Sequence, residues 1–344
     1  MLTIGIDAHK RSLAVCLVDE LGRELAQRQF GNEPGAHRAL HAWVAKLAPQ
    51  ERCFGIEGSG WVGRGIACFL LAQGETVVDV RGSLTERQRH RLRGGGKSDP
   101  RDALAIARVT AREELPPARP DSPERDLKLL SDYRRQLLAE RTRTANRLHA
   151  DLVSLRPGYE RVIPRLDSPA RLEAAERLLA AETLLQARLA RRRIETLRRL
   201  DAEIKQLERE IAQSVKTSGS GLTALVGIGY LGAACIIGEV GDIRRIASKA
   251  RFARLNGTAP IPASSGQTQR HRLNRGGNRR LNHALHMMAL TQAHHDPRAR
   301  AYLERRRAEG RTRRDAIRAL KRHLSDAVYQ QLRQDAGLRT ATLT

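Results

Sequence analysis

Met1-Leu2-Thr3-Ile4-Gly5-Ile6-Asp7 opens the chain as an apolar run that ends on a carboxylate, the pattern of a buried strand with an acid at its carboxyl end. Arg11 to Glu20 (RSLAVCLVDE) reads as a second strand and Leu25 to Phe30 as an alternating third, with Gly22 and Gly31 as the turn residues of a β-meander. Residues 34–48 set Ala36, Leu40, Trp43, Val44 and Leu47 on one apolar stripe and predict a helix. Cys53-Phe54-Gly55-Ile56 is a fourth short strand, ending at Glu57-Gly58-Ser59-Gly60. Trp61 to Ala72 returns to a helical pattern, and Thr76 to Val80 is a fifth strand.

Three strands, helix, strand, helix, strand, helix is the order of a ribonuclease-H-like α/β domain. In that order Asp7 and Glu57 end neighbouring parallel strands, at the sheet edge where open α/β sheets place their ligand sites. The closing helix begins in Lys97-Ser98-Asp99-Pro100-Arg101-Asp102-Ala103, after Gly94-Gly95-Gly96. A plain helix start accounts for these residues, with Asp99 as N-cap, Pro100 at the first helical position and Asp102 as a capping-box acid. The same spacing puts Asp99 and Asp102 on one helix face, aimed at one point. Four carboxylates sharing a cleft repel unless a cation neutralises them. Two Mg²⁺ ions roughly 4 Å apart, or Mn²⁺ in their place, are the usual solution for phosphoryl transfer.

Composition narrows the partner. The 344 residues carry a net charge of +24, from 62 basic and 38 acidic residues, which favours a polyanion, nucleic acid before an anionic membrane surface. Aromatics at 3% argue against a single-strand binder built on stacking platforms. Cys16, Cys53, Cys68 and Cys235 form no CxxC pair, so neither a zinc site nor a disulfide framework is expected. Asp7 and Lys10 come too early for a signal peptide and no apolar run reaches membrane-spanning length, which predicts a cytoplasmic protein.

Beyond Pro116, Pro117 and Pro120 the chain turns helical. Glu124 to Arg156 is charged and helical; residues 169–214 are helical again, with Leu197, Leu200, Ile204, Leu207 and Ile211 at alternating spacings of three and four. That is a coiled-coil seam that self-associates or one stripe of an intrachain hairpin, and dimerisation is the favoured reading. Leu225-Val226-Gly227-Ile228-Gly229 and the helix after it resemble a helix-hairpin-helix, whose turn at Gly227 and Gly229 would offer backbone N–H groups to a phosphate. From Ile243 to His295 there are ten Lys or Arg and no acid, a one-signed stretch that should lie on nucleic acid. Residues 280–333 are mainly helical.

Gly5-Ile6-Asp7-Ala8-His9-Lys10, Ile56-Glu57-Gly58-Ser59-Gly60 and Lys97 to Ala103 together resemble the DEDD transposases of the insertion-sequence-110 group, a group that includes the Piv-type DNA invertases. The resemblance implies a RuvC-like catalytic domain over residues 1–115, an α-helical coiled-coil connector over 121–214, and a mainly α C-terminal transposase domain over 220–335. It makes Asp7, Glu57, Asp99 and Asp102 the catalytic, metal-holding tetrad. A Ser-Ser-Gly is by itself a turn. By resemblance, Ser265 beside Gly266 is the candidate nucleophile, with Ser264 the neighbouring choice. No Ser-His-Asp arrangement is visible, although His271 is close in sequence.

Basic residues beside these motifs are the candidate phosphate contacts. They are Arg87, Arg89, Arg91, Arg93 and Lys97 in the stretch read as a loop before the tetrad helix, and Arg270, Arg272, Arg275, Arg279 and Arg280 around the serine. The expectation is a Mg²⁺-dependent DNA transposase or recombinase acting on double-stranded donor and target through a serine–DNA link. The family further implies a dimer or tetramer and a structured guide RNA. Two other readings stay open: a metal-dependent Holliday-junction-type nuclease without a covalent intermediate, and a non-enzymatic nucleic-acid-binding protein whose acids are caps.

Overall fold

Alternating and continuous apolar runs form the strands where the sequence places them. The computed structural model describes residues 1–91, 99–262, 271–274 and 276–341, and the chain divides into two units, Met1–Arg125 and Asp126–Thr344. The first unit runs β1 (Leu2–Ala8), β2 (Ser12–Val18), β3 (Glu24–Gly31), α1 (Pro34–Leu47), β4 (Arg52–Glu57), α2 (Arg64–Ala72), β5 (Thr76–Val80), α3 (Gly82–Arg91) and α4 (Asp99–Arg112). Its sheet has the order β3-β2-β1-β4-β5. β1–β2 and β2–β3 are antiparallel, β1–β4 and β4–β5 parallel. That mixed sheet carries the expected element order.

The two sheet faces are packed differently. On one, Leu40 and Val44 of α1 and Ile66 and Leu70 of α2 bury against Ile4, Ile6, Phe54 and Ile56. On the other, α4 lies directly on the strands through small residues, with Ala103 and Ala107 against Ala14 and Cys16. Gly5 and Gly55, paired across β1 and β4, make this close approach possible. A Cβ on Gly5 would stand 2.2 Å from the Ala103 carbonyl oxygen and 2.3 Å from the Ala107 nitrogen, and one on Gly55 would stand 1.8 Å from Thr110 Oγ1.

Within the first unit, one element differs from the expectation. Residues 82–91, read as part of a basic loop, form helix α3. Their run of straight-chain polar residues (Glu86, Arg87, Gln88, Arg89) has good intrinsic helix propensity, and charge alone does not break a helix.

The second unit is helical, with α5 (Pro123–Leu155, begun in the first unit), α6 (Pro169–Leu178), α7 (Leu185–Thr217), α8 (Tyr230–Val240), α9 (Lys249–Leu255), α10 (Arg279–His295), α11 (Pro297–Ala308), α12 (Arg313–Ala341) and a two-stranded ribbon of β6 (Pro260–Pro262) and β7 (His271–Leu273). The stripe favoured for dimerisation is covered within the chain. Leu197, Leu200, Ile204, Leu207 and Ile211 are at most 8% exposed, in cores shared with Leu148 and Leu152 of α5 or Leu137 of α5 and Ile236 of α8. Arg134–Glu208 (2.5 Å), Arg141–Asp201 and Arg193–Asp151 pair α5 with α7 along their length. The seam is therefore one stripe of an intrachain hairpin. An apolar repeat states that a face must be buried and does not say by which chain.

The segment read as a helix-hairpin-helix has a single 3₁₀ turn, Gly221–Ala224, ahead of its glycines rather than a first helix. Gly227 adopts φ +89, and a Cβ there would meet the Met288 carbonyl oxygen at 2.9 Å, so this glycine seats the turn on α10.

Asparagines tie the base of the β6–β7 ribbon. Asn256 is fully buried; its amide donates to Ser325 Oγ (2.8 Å), its side-chain oxygen accepts from Thr258 Oγ1 (2.7 Å), and its carbonyl accepts from Asn282 Nδ2 (2.8 Å). Asn256→Ala strands the Ser325 hydroxyl in the core and is expected to cost about 1–3 kcal/mol, read as a lower urea midpoint at unchanged slope; an unaltered midpoint would mean the network is energetically idle. The four cysteines are free, and burial pushes the Cys16 thiol up to about 12 and the Cys235 thiol to about 11, which disfavours the reactive thiolate at both. No described helix is long and apolar enough to cross a membrane.

Candidate functional site

Asp7 and Glu57 are directly paired in the register of parallel strands β1 and β4, at their carboxyl ends. The seating of α4 on Gly5 and Gly55 brings Asp99 and Asp102, both in its first turn, to the same edge. Asp7 and Asp102 are buried, at 9% and 5% exposure. Burial raises the Asp7 carboxyl above its ordinary range, His9 opposes that, and Asp102, Glu57 and Asp99 each push it further up. Asp7 therefore feels all three other acids at once. This convergence of four acids is the central observation about the site.

His9 belongs to the same group. Its Nε2 lies 3.1 Å from Asp7 Oδ2 and 3.3 Å from Asp99 Oδ1, and one ligand atom from each of the three lies within 4.8 Å of the others. The signal was present, since residues two apart in extended chain share a face. His9 nevertheless follows the strand's end, and tertiary contacts aim it. Asn32 donates to the His9 carbonyl (2.8 Å) and to the Val62 carbonyl (3.0 Å), fixing the turn after β1. Gly82 is a second residue the motifs did not mark: a Cβ there would stand 2.7 Å from Glu57 Oε1, so glycine leaves that carboxylate its space. Ser59, buried, donates to Asp79 Oδ1 and ties the loop after β4 to β5.

Carboxylate oxygens with one imidazole are a donor set that suits Mg²⁺ or Mn²⁺. A cation at this edge would favour the ionised form of Asp7 against its burial and against the charges of the other three acids. The residues present fit a divalent metal.

Other candidate residues fall in several places. Ser264, Ser265, Arg270, Arg275, Arg93 and Lys97 lie outside the described residues. Arg87, Arg89 and Arg91 are on α3, and Arg272 is on β7. Arg279 and Arg280 open α10. The Arg280 guanidinium is committed to Glu239 (2.5 Å) and to Asp132, and Lys128 joins at 2.7 Å from Glu239. Burial pushes the Glu239 carboxyl up, but hydrogen bonds from Lys128 and Asn278 outweigh it and hold the group below its usual range. Arg280 thus braces α10 against α5 and α8. Gly229 precedes α8 with open space around it.

Two family models match the chain, one described as Transposase (DEDD, IS110) over residues 4–157, the other as Transposase IS116/IS110/IS902 family over residues 220–304. Together they span more than half of it. The chain belongs to the IS110 family of transposases. It is an enzyme acting on DNA.

Two of the relatives reported for this transposase extend over nearly its full length and a third over about three quarters of it. An uncharacterized 44.8 kDa protein of insertion element IS116 from Streptomyces clavuligerus is 26% identical, over 96% of this chain and 94% of its own. The 42 kDa protein of IS900 from Mycobacterium paratuberculosis is 27% identical over 99% and 98%. The 43.6 kDa protein of IS110 from Streptomyces coelicolor is 28% identical over 72% and 75%. Among solved structures, T. thermophilus RuvC in complex with a Holliday junction substrate aligns with 34% of this chain and 99% of its own, at 18% identity and a TM-score of 0.27.

Proposed function

We propose that this transposase cuts and rejoins double-stranded DNA through a covalent link to Ser265, with Asp7, Glu57, Asp99 and Asp102 as the metal-holding tetrad. The observation that carries the reading is the convergence of the four acids at the ends of β1 and β4, where burial, and then the charges of the other three, raise the Asp7 carboxyl. Catalysis is assigned to residues 1–115 and 220–335, joined by the connector 121–214. When bound, divalent cations supply Lewis acidity at the scissile phosphate.

A tetrad carboxylate takes the proton of the Ser265 hydroxyl. Its Oγ forms an ester bond to phosphorus as the bond to the departing strand-end oxygen breaks, and that oxygen takes a proton and leaves as a hydroxyl. Arg270, Arg272 and Arg275 offset charge on the pentavalent phosphorus. Attack by the hydroxyl of a new strand end on the phosphoserine frees Ser265 and seals the joint, so bond energy is conserved. Further phosphate contacts are assigned to Arg87, Arg89, Arg91, Arg93, Lys97, Arg279 and the turn at Gly227 and Gly229.

The family resemblance implies a structured guide RNA beside the DNA, and a net charge of +24 is compatible with a second polyanion. The active unit is a dimer or tetramer in the bacterial cytoplasm, and its interface lies elsewhere than the Leu197 to Ile211 stripe. Purifying the protein expressed with its native flanking DNA, then sequencing the nucleic acid it carries, is expected to return one discrete RNA encoded beside the gene. A heterogeneous mixture would remove the guide RNA from the reading.

Ser265→Ala is expected to abolish both the protein–DNA adduct on denaturing gels and strand joining, with DNA affinity retained. Cleavage that persists in Ser265→Ala without an adduct would replace the serine mechanism by water attack, as in a junction nuclease.

A further inference from the structure

Several half-buried cations of the helical unit meet carboxylates. Lys128 meets Glu239, Arg280 meets Glu239 and Asp132, and Arg141 meets Asp201. Lys321 of α12 breaks the pattern. It is 8% exposed, and its ammonium donates to the neutral Asn282 Oδ1 at 2.6 Å. It lines a groove of about 590 Å³ between α10 and α12, with Arg279, His286, Arg313, Arg314 and Arg318.

No carboxylate is among the described lining residues. Arg318 is held by Asp315 at 3.0 Å, whereas Arg279, Arg313 and Arg314 enter no ion pair among the described residues. The crowding leaves its mark on the groups inside. Burial and the Arg318 charge push Lys321 below its ordinary range, and burial, Lys321 and His283 do the same to His286. Two helices that turn basic faces toward one groove, over a buried lysine, hold an arrangement that a bound anion would stabilise. The volume suits a nucleotide-sized occupant, since ligand sites run from about 300 to 1,000 Å³.

We propose that this groove is a phosphate site that seats the phosphodiester backbone of the nucleic acid on which this transposase acts, with Lys321 as its buried anchor. The proposal rests on the nucleic-acid reading only for the source of the phosphate.

The test compares the full-length wild type with Lys321→Met and with the surface pair Arg313→Gln/Arg314→Gln, which leaves the core intact should Lys321→Met fold poorly. Arg177→Gln, an exposed change on α6, controls for loss of charge alone. Affinity for short random-sequence DNA and RNA duplexes is measured over a range of salt, and inorganic phosphate binding is followed by calorimetry. For at least one duplex, the groove variants are expected to lose roughly tenfold in affinity. The slope of log affinity against log salt should fall by about 0.9 for each phosphate contact removed; Arg177→Gln should change neither. Duplex binding equal to wild type in both groove variants would overturn the proposal. If those variants lost only inorganic phosphate binding, the groove would serve a free anion and the backbone assignment would fall. Failure of the catalytic reading is separable: duplex affinity would still drop in the variants, while wild-type protein showed no metal-dependent cleavage.

Discussion

Asp7→Asn is expected to abolish metal-dependent strand cleavage, by on the order of 10²-fold or more, and at the same time to raise the melting temperature of the metal-free protein. The two effects have one cause. Burial, then the charges of Asp102, Glu57 and Asp99, hold the Asp7 carboxyl above its ordinary range against the opposing pull of His9. A raised carboxyl is better protonated in the folded chain than in the unfolded one. Its contribution to stability is present below the unfolded value and is lost as pH rises through the raised folded value. At neutral pH the ionised Asp7 therefore costs stability, and the neutral amide of asparagine removes that cost.

Mg²⁺ or Mn²⁺ should reverse the ranking, raising the melting temperature of wild type by selective binding to the folded state and doing so far less for Asp7→Asn. Thermal melts of both proteins, with chelator and with metal, read the effect directly. A variant less stable than wild type in chelator would show Asp7 to be a structural cap rather than a strained ligand. Cleavage at the wild-type rate would dismiss the tetrad.

Gly5→Ala should be nearly as damaging, through packing alone. The added methyl meets backbone atoms of α4 at 2.2 and 2.3 Å, which no side-chain rotation relieves, so the helix must lift from the sheet. Overpacking of this kind costs about 1–3 kcal/mol. The lift also withdraws Asp99 and Asp102 from Asp7 and Glu57, so cleavage should fall further than the loss of folded protein explains. The control is Gly35→Ala in α1, where a Cβ meets nothing within 4 Å; it should be neutral or slightly stabilising, since alanine favours a helix. Equal cleavage by folded Gly5→Ala and wild type would show that the close seating of α4 does not place the acids.

Much of this was legible in the sequence because it depends on local pattern. Strand periodicity, the N-terminal chemistry of Asp99-Pro100-Arg101-Asp102 and the order of the elements are properties of short segments, and a strand-end acid needs only the strand's limits to be placed. The four acids are thus assignable to one sheet edge from the sequence alone. What covers an apolar face, and how near two elements come, depends on residues far apart in the chain. For that reason only the tertiary structure decided that the Leu197 to Ile211 stripe is buried by α5 and α8 of the same chain. It alone decided that Gly5 and Gly55 form the trough in which α4 sits, and that His9 stands between Asp7 and Asp99. Lys321 is the plainest case: in sequence it is one basic residue in a basic helix, and only the crossing of α10 and α12 buries it beside a neutral amide in a groove lined by cations.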